Sequence, residues 1–133
     1  MAHQSYFKHD LTPRVKEKLR KRAEEAQSMR QCYRIVDERD GKRCRVCRRP
    51  GYPNGTTLLD RLHHHHMVYR SRGGQHEPDS VILLCAICHA AIHIEGTLRV
   101  SGDANARDTA TGKLAGVKVE RYTDAGWIVE KFV

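Results

Sequence analysis

The sequence predicts an α+β protein: a basic N-terminal helix, a small metal-stapled core and a C-terminal β-hairpin. Three observations carry this expectation. A capped helical pattern starts at Thr12-Pro13. Two Cys-x-x-Cys pairs, Cys44/Cys47 and Cys85/Cys88, bracket a strand–loop–strand pattern and lead into a helix. Two alternating segments near the C-terminus flank Asp124-Ala125-Gly126. The expected divisions are residues 1–41 for the helical arm, 42–96 for the core and 97–133 for a β extension packed on it.

Thr12 suits the N-cap and Pro13 the first helical position, where a missing N–H costs nothing. Val15, Leu19, Ala23 and Ala26 follow at helical steps as a thin apolar stripe, and Met29, Cys32, Tyr33 and Val36 continue it. Ser28 and Gln31 have capping-box spacing, so the helix could restart there. Asp40-Gly41 ends it. The formal charge of +8 is concentrated in this part of the chain. Residues 1–49 hold 15 Lys and Arg against 7 Asp and Glu, whereas residues 50–133 hold 9 against 9. One local sign of charge suits neutralisation of phosphates, with Lys16, Lys18, Arg20, Lys21 and Arg22 as candidate contacts. A helix charged for solvation is the alternative.

Within 133 residues, 39% are apolar and only 6% aromatic. Such a chain buries little and gains from a metal staple. The scarcity of aromatics also argues against a stacking platform for single strands. The N-terminus has no apolar signal region, and no apolar run reaches membrane-spanning length, so no membrane partner and a cytoplasmic location are expected. There thiols stay reduced, and paired Cys-x-x-Cys motifs bind metal more often than they form disulfides. A two-residue gap aims both sulfurs at one ion, and two such knuckles complete a closed tetrahedral site. Cys44, Cys47, Cys85 and Cys88 are therefore expected to hold a structural Zn2+ with no open position for catalysis. The leftover Cys32 reads as a packing residue.

Residues 42–56 are turn-rich, 58–68 extended, 72–79 a loop, 81–84 a short apolar strand and 86–94 a helix stopped by Gly96. Beyond it, Leu98 and Val100 suggest a short strand and residues 101–112 a polar loop. Val117–Tyr122 and Trp127–Phe132 alternate as a hairpin that covers the core.

Six of the nine histidines gather around the second knuckle: His63 to His66, His89 and His93. His89 and His93 are four apart on a predicted helix and share a face, the spacing of a two-histidine metal site. His65 and His66 are neighbours on a predicted strand and point to opposite sides. One can hold an ion while the other faces a water. His63 and His64 read as packing or exposed residues, and His3, His9 and His76 receive no role.

His65-His66-Met67-Val68-Tyr69-Arg70-Ser71-Arg72-Gly73-Gly74, then Ser80-Val81-Ile82-Leu83-Leu84-Cys85-Ala86-Ile87-Cys88-His89, then His93, resembles the HNH endonucleases and their ββα-metal fold over residues 42–94. The resemblance implies that His66 is the general base and that His65 and His89 bind a catalytic divalent ion (Mg2+, Mn2+, Ni2+ or Zn2+). It adds His93 as a ligand, as in colicin-like members. The implied substrate is DNA, double-stranded, with no small-molecule substrate, and a homodimer is compatible with it. Arg70 and Arg72, on the loop after His66, either contact phosphates or are ordinary loop charge. Ser80 stands where the family has an Asn that orients the base, and a Ser offers a hydrogen bond of shorter reach. The alternative is a non-catalytic zinc-binding DNA-binding module on the same fold, with Ser80 marking a lost site. A purely structural zinc domain serving a protein partner is a third reading. Small proteins of this kind occur in phage packaging, restriction and mobile elements, which sets the expected location as the cytoplasm of a bacterium or a phage-infected host.

Overall fold

The computed structural model describes residues 11–68 and 76–133. Arg70 and Arg72 lie outside them. Helix α1 spans Pro13–Asp40 without interruption. The Thr12 hydroxyl accepts the Val15 N–H at 3.3 Å, and Gly41, at φ 65°, closes the C-terminus through the left-handed conformation a side chain disfavours. The restart anticipated at Ser28 does not occur. No Gly or Pro lies between Arg14 and Asp40 to break the ladder, and Cys32, Val36 and Asp40 bury one face of a continuous helix. Only this last part of α1 is buried. Val15 and Leu19 are 39% and 47% exposed, so the stripe expected there faces solvent. Residues 13–31 project by roughly 28 Å at helical rise.

Strands β1 (Leu62–His66) and β2 (Val81–Cys85) pair antiparallel, with Leu62 opposite Cys85 and His66 opposite Val81. The extension expected from Leu58 starts later, because Thr57 donates to Asp60 at 2.8 Å in a turn just before the strand. A single 3-10 turn, Pro78–Ser80, returns the connecting loop to β2. All five β2 residues are buried, which explains an apolar run without alternation. Helix α2 (Ala86–His93) follows directly, with the Cys85 sulfur accepting the Cys88 N–H at 3.4 Å as its cap. This is a ββα unit.

Strands β3 (Leu98–Gly102), β4 (Val117–Thr123) and β5 (Gly126–Phe132) form an antiparallel sheet in that order. The hairpin is as expected, and β3 joins its edge. Gly102 and Gly116 let two backbones meet there: a Cβ on Gly116 would fall 2.0 Å from the Asp103 carbonyl. Leu98, Ala104, Val117 and Val119 share one buried cluster with Val36, Cys44, Val46, Leu62 and β2, so the C-terminal sheet packs on the ββα unit. The protein is thus α+β, and no helix among the described residues is long and apolar enough to cross a membrane.

A buried ionic network joins these parts. Asp40, 1% exposed, accepts from Arg39 Nε at 2.7 Å, from Arg45 Nη1 at 2.8 Å and from the Leu83 N–H at 3.0 Å. Arg45 also donates to the carbonyls of Ala104 and Val133 at 2.9 and 3.2 Å. Arg39 donates to the carbonyls of Pro78 and Val81. Each of these charged groups therefore has partners, which is the condition for tolerating buried charge.

Candidate metal centre and active site

The two cysteine knuckles meet. Cys44, Cys47, Cys85 and Cys88 bring their sulfurs within 4.8 Å of one another. The Cys47 and Cys85 sulfurs are 3.6 Å apart, against about 3.8 Å for the edge of a tetrahedron with ~2.3 Å zinc–sulfur bonds. Cys44, Cys85 and Cys88 are buried and Cys47 is exposed. A hydrogen bond from Cys88 pushes the Cys44 thiol down to about 4, and Cys88 is correspondingly pushed up. The donor set and spacing fit a zinc ion. Arg45, inside the first knuckle, donates its backbone N–H to the Leu83 carbonyl at 2.8 Å, which docks the knuckle against β2.

Strand geometry sorts the four consecutive histidines. Alternation turns His63 and His65 toward α2, and His64 and His66 toward α1. His65 Nδ1 lies 3.2 Å from His93 Nε2, and the His65 and His89 ring centroids are 6.0 Å apart. Ligand atoms of His65, His89 and His93 all lie within 4.8 Å of one another, so this trio can hold a metal. Burial and neighbouring imidazoles lower His65 and His89 to about 4, which keeps them in the neutral form that ligation needs. His63 stacks on His89, with centroids 4.4 Å apart and planes 6° from parallel. It packs against the trio without joining it.

On the other side, His64 shares a hydrogen bond with Asp37 Oδ1 at 2.6 Å and stacks on Tyr33 at 3.8 Å. His66 meets His76: Nε2 and Nδ1 are 3.2 Å apart. Burial, then the nearby His76 and His64, lower the pKa of His66. Ser80 does not reach toward this ring. Its hydroxyl donates to the Glu77 carbonyl at 3.1 Å, and its carbonyl accepts the Met67 N–H at 2.8 Å, closing the neck of the loop. Sequence alone gives His76 no role. A signal is nevertheless present, since a loop that leaves at His66 and returns to its β-partner Val81 must bring residues on its second limb back beside His66.

His65 and His66 open on a cleft of about 400 Å³, also lined by Arg99, Ser101, Glu120 and Trp127 of the C-terminal sheet. The Arg99 guanidinium lies 3.7 Å over the Trp127 ring. Sequence alone makes this sheet a cover; it is also a wall of the cleft. On α1, Lys16, Lys18, Arg20, Lys21 and Arg22 are all exposed. Arg20 is engaged with Glu17 and Glu24 at 2.7 and 2.6 Å, and Lys21 lies 3.7 Å from Glu17. Lys16, Lys18 and Arg22 thus form the less committed part of that charge.

Residues 44–95 match the family model of the HNH endonuclease. The matched segment runs from the first cysteine knuckle through both histidine sets to the end of α2. No match was found among curated proteins or among solved structures.

Proposed function

We propose, from the match of residues 44–95 to the HNH endonuclease family model, that the protein is a metal-dependent endonuclease that hydrolyses phosphodiester bonds of double-stranded DNA. The observation that carries the reading is the convergence of His65 from β1 with His89 and His93 from α2, while the next strand residue, His66, opens on the same cleft. The three imidazoles fit a borderline cation such as Zn2+, Ni2+ or Mn2+, and Mg2+ with several waters retained. A divalent ion held there supplies charge stabilisation to the scissile phosphate and the leaving oxygen.

The chain's own residues do the rest. Neutral His66 takes the proton from the attacking water, a task suited to an imidazole near pH 7. Arg99, at the facing wall of the cleft, and Arg70 and Arg72, which follow His66 closely in the chain, are the cations we assign to phosphate oxygens. Lys16, Lys18, Arg20, Lys21 and Arg22, exposed on α1, make the N-terminal arm proposed for residues 1–41 an electrostatic guide to the backbone. The core (42–96) carries the chemistry, and the extension (97–133) walls the cleft. The structural Zn2+ at the four cysteines holds the two histidine-bearing elements in one frame.

The test is cleavage of supercoiled plasmid with a panel of divalent metals, comparing the protein with its His66→Ala variant. Loss of general-base catalysis should slow cleavage by about 10²–10⁴-fold at unchanged metal content. Equal rates in the variant would remove His66 from the chemistry. DNA binding without cleavage under every metal would instead make the protein a zinc-containing DNA-binding module.

A further inference from the structure

We infer that Trp127 is a positioning residue for the substrate strand: its ring holds the Arg99 guanidinium at the wall of the cleft, where the N–H edge meets a phosphate flanking the scissile one. This rests on the reading of the cleft as a DNA site. Arg99 lies on β3 and Trp127 on β5, on either side of β4. The register sets Arg99 opposite Glu120, and Tyr122, two residues on, opposite Trp127. Alternation therefore puts these four side chains on one face of the sheet. The long Arg99 side chain crosses β4 and places its guanidinium carbon 3.7 Å over the Trp127 ring. Tyr122 meets the same ring at 5.4 Å with the planes 64° apart.

The stack leaves the phosphate-binding part of Arg99 uncommitted. A guanidinium engages an aromatic ring through its face, whereas phosphate oxygens are taken by its N–H fork. An acid would have occupied that fork. Glu120 is the cross-strand neighbour of Arg99, yet its carboxylate lies 3.5 Å from Lys118 Nζ. Among the described residues no hydrogen bond or ion pair engages the Arg99 guanidinium. Trp127 also holds a side chain with several rotatable bonds in one arrangement before DNA arrives, which lowers the ordering cost of binding. Arg99 and Trp127 line the same cleft as His65 and His66. A divalent ion at the histidine trio serves the scissile phosphate, so the cation on the C-terminal sheet falls to a neighbouring phosphate. Arg99 and Trp127 both lie beyond the segment that matches the HNH model, and the C-terminal sheet thereby gains a part in holding substrate.

The test measures the affinity of the full-length protein for a short labelled DNA duplex by fluorescence anisotropy over a salt series. The four-cysteine zinc stays in place, and a mild chelator keeps the histidine trio empty so that no strand is cut. Arg99→Ala should weaken binding by about 10–100-fold and make the slope of log affinity against log salt shallower by about 0.9, the share of one phosphate. Trp127→Leu should weaken binding by about 3–10-fold and move the slope in the same direction, although it removes no charge. Trp127→Phe keeps a ring face and should retain most of the affinity. The double variant Arg99→Ala/Trp127→Leu should bind no worse than Arg99→Ala, because Trp127 acts through Arg99. In the parent protein, the ring-current shifts of the Arg99 side-chain protons should persist when DNA binds. The inference is overturned by an Arg99→Ala protein of parental affinity, by a Trp127→Leu protein of parental slope, or by additive losses in the double variant. Disappearance of the ring-current shifts in the DNA complex also overturns it, and that result is read on the parent whether or not a Trp127 variant folds. A parent that binds the duplex but cuts DNA with no metal refutes the hydrolase reading alone.

Discussion

Replacing Asp40 with alanine removes a carboxylate that meets three donors at 2.7, 2.8 and 3.0 Å inside the protein. Arg45 would keep only the carbonyls of Ala104 and Val133, with its charge still buried at 1% exposure. Unpairing a buried ion costs about 3–5 kcal/mol. The orphaned Leu83 N–H alone would cost about 1–3 kcal/mol, but the two losses share one carboxylate and do not add in full. We expect a net loss of about 4 kcal/mol, a large share of the ~5–15 kcal/mol that holds an ordinary domain together. Between the two size classes for which the shift is known, 1 kcal/mol moves Tm by about 4 °C, so the midpoint should fall by about 16 °C. The assay is thermal and urea unfolding followed by far-UV circular dichroism at fixed excess zinc, with the Arg45→Leu and Asp40→Ala/Arg45→Leu variants completing a cycle. The double variant should be more stable than Asp40→Ala, because it leaves no unpaired Arg45. A loss below about 1 kcal/mol in Asp40→Ala, the range of an exposed pair, would refute the reasoning.

Two further outcomes are expected. His89→Ala should reduce the metal content from two ions per chain to one, abolish cleavage and leave the four-cysteine ion in place, as measured by elemental analysis after dialysis against a mild chelator; retention of two ions would dissolve the proposed trio. Replacing Lys16, Lys18 and Arg22 together by alanine should make the slope of log affinity against log salt shallower by about 0.9 for each phosphate no longer neutralised. Arg20→Ala should change that slope less, because Glu17 and Glu24 already engage its guanidinium; a larger effect from Arg20 would show that those pairs open on binding.

The four-cysteine cluster was legible because its signal is local: two sulfurs three residues apart can both face one ion, and two such pairs can complete its shell. The two sides of His65 and His66 were legible because a strand has period two. Helix α1 was legible from its caps and from the lack of any interior Gly or Pro, although the capping-box spacing at Ser28 suggested a break that the packed Cys32–Val36 face overrides. What remained hidden is set by partners distant in the chain. In the sequence Asp40 only marks the helix end beside Gly41, and the return of Ala104 and Val133 to Arg45 is what makes the pair a buried network. His76 became informative only once the loop closed on Val81. The pairing of β3 with β4 reaches across a long polar loop with no periodicity to announce it.

The run His63–His66 raises a question that its own chemistry cannot answer. Four identical side chains specify no register, and a slip of one residue would exchange the set facing α2 with the set facing α1. The register must be fixed from outside the run. Leu62, 1% exposed, lies opposite Cys85, and its N–H donates to the Tyr52 carbonyl at 3.0 Å. Its side chain packs where a Cβ on Gly51 would come within 2.9 Å. Both anchors belong to the cysteine knot: Cys85 is one of its sulfurs, and Gly51 and Tyr52 follow its first knuckle. The four cysteines therefore do more than staple a small core. They select which histidine of the run joins His89 and His93 and which turns to His76. Stripping the cysteine-bound ion should accordingly abolish metal binding at His65, although every histidine of the trio remains in the chain.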